Sequence, residues 1–144
     1  VDVYNERLQR LGARAAQRIE NAEQLDDSTR DLAYTTVLAA DFDYQVKNGG
    51  FGQLIYNLGR DRLEQCDGVL EWVGAPVALS YFRRAVTRCA EDLADFDQFM
   101  ADFTTPTSVG QDLLLLSVEY LGGRPSFDDE IADFLDTADA GLRH

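Results

Sequence analysis

Residues 28–58 read STRDLAYTTVLAADFDYQVKNGGFGQLIYNL, and the spacing of their apolar side chains decides the fold class. Leu32, Tyr34, Thr35, Leu38 and Phe42 recur at helical rather than alternating intervals, so the stretch is predicted to wind as a helix to about Tyr44. Asp27-Ser28 precedes it, and Ser28 with Asp31 has the capping-box spacing that satisfies first-turn amides. Asn48-Gly49-Gly50 then collects residues that accept backbone angles others resist, and is expected to end the helix. A short helix from Phe51 to Leu58 should follow, with Phe51 packing into the core just after the turn.

The same periodicity extends outward in both directions. Residues 4–20 place Leu8, Leu11, Ala15 and Ile19 on one face and Arg7, Arg10, Arg14 and Arg18 on another. Asp61 to Val73 is a further helix stopped by Gly74, and Pro76 suits the first turn of one predicted to run on to about Phe99. A loop from Thr104 to Gly110 precedes Gln111 to Leu121, read as a helix with Leu113 to Leu116 as a core segment. Ser126 and Asp129 have a second capping-box spacing before Ile131, Phe134 and Leu135. No stretch alternates cleanly enough to imply a sheet. The expectation is an all-α protein: residues 1–144 as one compact domain of about six to eight helices.

At 144 residues and 45% apolar content the chain can fill one core, and eight Phe, six Tyr and one Trp argue against disorder. Its formal charge of −13 is unevenly placed. Residues 91–139 carry 13 acids against the single base Arg124, whereas the first 90 residues carry 13 acids against 11 bases. Such a surface repels phosphate and attracts cations, so direct nucleic-acid binding is excluded and basic partners are favoured. No apolar run approaches the roughly 20 residues that cross a bilayer. No signal peptide is visible, and Cys66 and Cys89 read as buried thiols of a cytoplasmic protein.

The chemistry of catalysis is sparse. The one histidine is His144, which leaves no Ser-His-Asp, Cys-His or zinc arrangement. Gly49-Gly50-x-Gly52 lacks the strand and lysine of a phosphate-binding loop. Asp128, Asp129, Glu130 and Asp133 lack the spacing and central glycine of a calcium loop, so no metal and no cofactor is expected. An enzyme would have to use Asn48, Gln53 and Asn57 with Asp41 or Asp43, and amides are poor proton carriers; the chain reads as a non-enzyme. Gln53 and Asn57 share a helix face and are expected to bond loop backbone, with Asn48 capping the helix after the turn.

The run from Gln45 through Asn57, with Asn48-Gly49-Gly50-Phe51, Gln53 and Asn57 at its heart, resembles the signature of the DNA-mimic protein family. These are small acidic all-helical bacterial proteins also catalogued as a domain of unknown function. The resemblance spans about residues 30–95, including Val73-Gly74-Ala75 and Phe82 to Ala85. Gln45 stands where that family usually has a carboxylate, and Ile55 replaces an aromatic. The resemblance implies a dimeric protein whose carboxylates stand in for DNA phosphates on the DNA-binding face of a regulator. Charge clustering selects the candidate face: Asp92, Asp95, Asp102, Asp128, Asp129, Asp133 and Asp136. The alternative from the same electrostatics is an immunity-type or adaptor protein neutralising a basic partner such as a nuclease toxin. The arginine stripe either pairs with the acidic C-terminal region of its own chain or meets a second subunit.

Overall fold

The computed structural model describes residues 4–21 and 25–143, and their backbone follows the apolar periodicity into eight α-helices. In chain order these are α1 (Glu6–Glu20), α2 (Asp27–Leu58), α3 (Leu63–Trp72), α4 (Pro76–Glu91), α5 (Leu93–Ala101), α6 (Ser108–Gly122), α7 (Phe127–Glu130) and α8 (Ala132–Gly141). One turn of 3-10 helix, Arg60–Arg62, joins α2 to α3, and no described residue lies in a strand. The chain is a single all-α domain, as the spacing predicts.

Helix α2 is the central element, touching α1, α3, α6 and α8. Its apolar residues Phe42, Val46, Phe51, Leu54 and Ile55 are buried in one core with Leu8, Leu70, Phe82, Leu113 and Ile131 from the surrounding helices. Gly12 lets α1 approach α2 closely, since a Cβ there would stand 2.8 Å from the Cβ of Ala40. The glycine pair does interrupt α2, but as a kink and not an end. Gly49 stays helical, and Gly50 alone leaves the helix, at φ 74° and ψ −171°. That angle suits a residue without a Cβ.

Several local devices differ from those the sequence suggests. Asp26, not Ser28, caps α2 by accepting the Thr29 N–H at 2.7 Å. The stretch from Pro76 to Phe99 is two helices, because Asp92 adopts φ −143° and ψ 85° and caps α5 by accepting the Asp95 N–H. Ile131 separates α7, which carries Asp129, from α8, which carries Asp133. Helix α6 starts earlier than expected, at Ser108, with Thr107 as its cap. At Ser126 the expected cap is present, accepting the Asp129 N–H at 3.2 Å.

The four consecutive leucines of α6, Leu113 to Leu116, are not all core. A helix cannot aim four consecutive side chains one way. Val109, Leu113, Ser117 and Tyr120 face inward, while Leu114, Leu115 and Val118 are 61–67% exposed and Leu121 is 48% exposed.

Candidate partner-binding surface

The seven carboxylates selected by charge clustering fall into two groups on different elements. Asp92, Asp95 and Asp102 belong to α5 and its ends, and α5 packs against α4 and α6. Asp128, Asp129, Asp133 and Asp136 belong to α7 and α8, and α8 packs against α1, α2 and α7.

Within the first group each carboxylate accepts backbone or hydroxyl hydrogens. Asp92 caps α5, and Asp95 accepts the Val109 N–H at 2.6 Å and so ties α5 to the first turn of α6. Asp102 accepts from the Thr104 N–H at 3.1 Å and from the Thr105 hydroxyl at 2.9 Å, closing the turn after α5. Hydrogen bonds from Thr104 and then Thr105 hold its carboxyl below the usual range. None of these bonds cancels a charge. Asp92 and Asp102 are both exposed. Asp97, which sequence reasoning did not select, lies on the same helix and pairs with Arg60.

The second group is partly neutralised from within. Arg7 reaches Asp136 at 2.9 Å and Asp139 at 3.4 Å, and Arg14 lies 3.8 Å from Asp139. The arginine stripe of α1 is therefore used, in these two members, against the acidic region of its own chain. Asp128 meets Lys47 at 3.2 Å. Asp129 and Asp133 are exposed and have no ion pair among the described residues. They are the two uncompensated charges of the seven on this side.

Glu130 has a structural task that the sequence did not reveal. Its two oxygens accept the Val77 and Ala78 N–H groups at 2.7 and 3.0 Å, capping α4 across 52 residues of chain. Pro76 at the first turn had signalled the start of α4, but not what would satisfy the amides that follow it.

The amides of the 45–57 run bond one another across the kink, not loop backbone as expected. Gln45 Oε1 accepts from Gln53 Nε2 at 2.6 Å and from Asn57 Nδ2 at 2.9 Å. Asn48 Nδ2 donates to Gln53 Oε1 at 3.0 Å, and Gln45 Nε2 donates to Asp41 at 3.2 Å. The helix after the kink is held not by Asn48 but by Ser117, whose Oγ accepts the Phe51 N–H at 2.8 Å. Gln45 thus offers the acceptor oxygen that a carboxylate would offer at that position.

Beneath the kink lies a buried ion pair. Asp43 is 1% exposed, accepts the Asn5 N–H at 3.0 Å and meets Lys47 Nζ at 2.8 Å. Burial disfavours the Lys47 ammonium, but Asp43 and then Asp128 outweigh it, and its pKa is raised overall. The i,i+4 spacing of Asp43 and Lys47 was the available signal for this pair. Burial pushes the Cys66 thiol up to about 12 and the Cys89 thiol up to about 11, so both are inert. His144 lies outside the described residues, and no group of three metal-binding side chains occurs among those described. No helix among the described residues is long and apolar enough to cross a membrane.

A family model described as DMP19-like protein matches residues 23–138. That span runs from just before α2 into α8 and takes in all seven carboxylates and the whole 45–57 run. No curated protein and no solved structure matches the chain.

Proposed function

The chain belongs to the DMP19-like family of DNA-mimic proteins, and from that premise we propose that it binds the DNA-binding face of a basic regulator and blocks it. The observation that supports this reading is the family match joined to exposed carboxylates on α5, α7 and α8. Asp92 and Asp102 at the ends of α5, and Asp129 and Asp133 on α7 and α8, are exposed to solvent. Duplex phosphates recur at about 3.4 Å per strand, and these are the charges that the exposed carboxylates would stand in for. A basic DNA-binding surface meeting them gains on-rate and selectivity from the same field that repels nucleic acid. The role is binding and not catalysis, and its place is the cytoplasm, where such regulators work.

The protein acts in this reading as a homodimer, and α6 supplies the contact. Leu114, Leu115, Val118 and Leu121 form an exposed apolar stripe to which α6 itself adds no charge. The acidic residues of α6, Asp112 and Glu119, turn toward α4, where they pair with Arg88 and Arg84. A chain of charge −13 meets its own copy at lowest electrostatic cost over a neutral stripe, and one helix pairs with itself about a twofold axis. The α1 arginines are less suited, since Arg7 and Arg14 already face Asp136 and Asp139.

The test is competition. The immobilised protein should capture a basic DNA-binding protein that duplex DNA releases in a dose-dependent way. The variant Asp129→Lys with Asp133→Lys should fold normally and lose the capture. A captured partner that stays bound at saturating DNA would overturn mimicry and favour neutralisation of a toxin at some other face.

A further inference from the structure

Between α2, the C-terminal end of α6 and the start of α7 lies a cavity of about 70 Å³. Phe42, Val46, Leu121 and Phe127 form its apolar walls, and Asp43, Lys47, Tyr120 and Ser126 supply polar groups. Leu121 is half exposed and stands at its mouth. Tyr120 is 4% exposed, its ring packed against Phe51 and Tyr81, and its hydroxyl has no hydrogen-bond partner among the described residues. One oxygen of Asp43 accepts from the Asn5 amide, while the other has only the ammonium of Lys47 as an ion-pair contact.

A buried hydroxyl without a partner costs about 1–3 kcal/mol, so native proteins almost always supply one. Burial first, and then the carboxylates of Glu130, Asp43 and Asp128, raise the Tyr120 pKa far above its ordinary value. The group therefore stays an O–H, able to donate. Its complement must accept that hydrogen and, to serve Asp43, donate one of its own. A hydroxyl does both, a carbonyl does only the first, and an ammonium only the second. Two waters occupy about 60 Å³ of liquid, so the volume admits a water pair or an alcohol of three or four non-hydrogen atoms.

We propose that this cavity is a binding site for a hydroxyl group, which accepts from Tyr120 and donates to Asp43, its bearer being water or a small alcohol whose carbon body lies against Val46, Leu121 and Phe127.

Crystals grown without alcohol should show ordered water within hydrogen-bond distance of Tyr120 Oη and the Asp43 carboxylate. Crystals soaked in propan-2-ol should show the alcohol oxygen in that place. Exchange for the alcohol identifies an amphiphilic ligand, and water persisting through the soak assigns the same site to water; either outcome supports the proposal. Density absent from the cavity in both crystals would overturn it. Where the alcohol takes the place of water, amide shifts of Val46, Lys47 and Leu121 should saturate with propan-2-ol in solution, and the midpoint should rise at least fivefold in Tyr120→Phe. Acetone, which accepts but cannot donate, gives a control that does not depend on how the variant folds. It should bind at least fivefold more weakly than propan-2-ol, and equal affinity would count against the hydroxyl bridge.

Discussion

At the scale of single residues, the kink in α2 separates two adjacent glycines that look alike in sequence. Gly50 has φ 74°, and a Cβ there would stand 2.5 Å from Ser117 Oγ and break the bond to Phe51. Gly49 is helical, and a Cβ there would stand 2.7 Å from the Gln53 Cβ, which the backbone fixes, as well as on the amide end of that side chain. Gly50→Ala should therefore destabilise by about 2–4 kcal/mol in urea unfolding, from left-handed strain and a lost hydrogen bond together. Gly49→Ala should also destabilise, but by less than Gly50→Ala, because a gain of about 1 kcal/mol in helix propensity offsets part of the overpacking against Gln53. Equal costs at the two positions would mean that the kink does not depend on Gly50. Ser117→Ala isolates the bond itself. It leaves the Phe51 amide buried and unpaired, a loss of about 1–3 kcal/mol that Ser117→Thr should largely avoid if its methyl fits.

At the scale of elements, the apolar spacing was enough to reveal helices because each one buries a face, and that face is written in the local sequence. Breaks and caps were harder to read. Asp92 ends α4 and starts α5 with no glycine or proline to mark it, and the apolar pattern runs straight through. Glu130 caps α4 from far along the chain, which no local spacing can show. The candidate acids were visible as a charge cluster, but their division between α5 and the α7–α8 pair depends on packing, as does the pairing of Arg7 with Asp136. The same limit hid the outward face of α6, since a run of leucines says helix without saying which side is covered. That face carries a prediction. Leu115→Glu with Val118→Glu should convert a dimer of about 32 kDa to the 16.1 kDa chain in sedimentation equilibrium. The helical circular-dichroism signal should be unchanged, since both side chains are exposed in the single chain, and the thermal midpoint should no longer depend on protein concentration. A dimer unchanged by the pair of substitutions would place the interface elsewhere.

For the whole molecule, the charge of −13 acts on stability and on binding in different ways. Asp26, Asp67 and Asp102 all have folded pKa values below the ordinary 3.8, through the Thr29 amide, the Arg83 guanidinium and the Thr104 hydroxyl respectively. A depressed carboxyl stabilises the fold above its unfolded value and loses that contribution as pH falls through the folded one. The thermal midpoint should therefore drop below about pH 3.8, and Asp67→Asn should flatten that limb. Partner binding should respond to salt instead. Exposed charges are screened beyond about 8 Å at 0.15 M ionic strength, so affinity for a basic partner should fall on the order of tenfold between about 0.05 and 0.2 M salt. The two acidic groups can be weighed separately. Asp92→Asn keeps the cap on α5 and removes only its charge, whereas Asp129→Lys with Asp133→Lys reverses two charges that bond nothing else among the described residues. If the partner spans both groups, each variant should weaken binding and shallow the salt slope while the thermal midpoint holds. An unchanged slope in the Asp92 variant would confine the contact to α7 and α8, and unchanged slopes in both would remove the acidic helices from the interface.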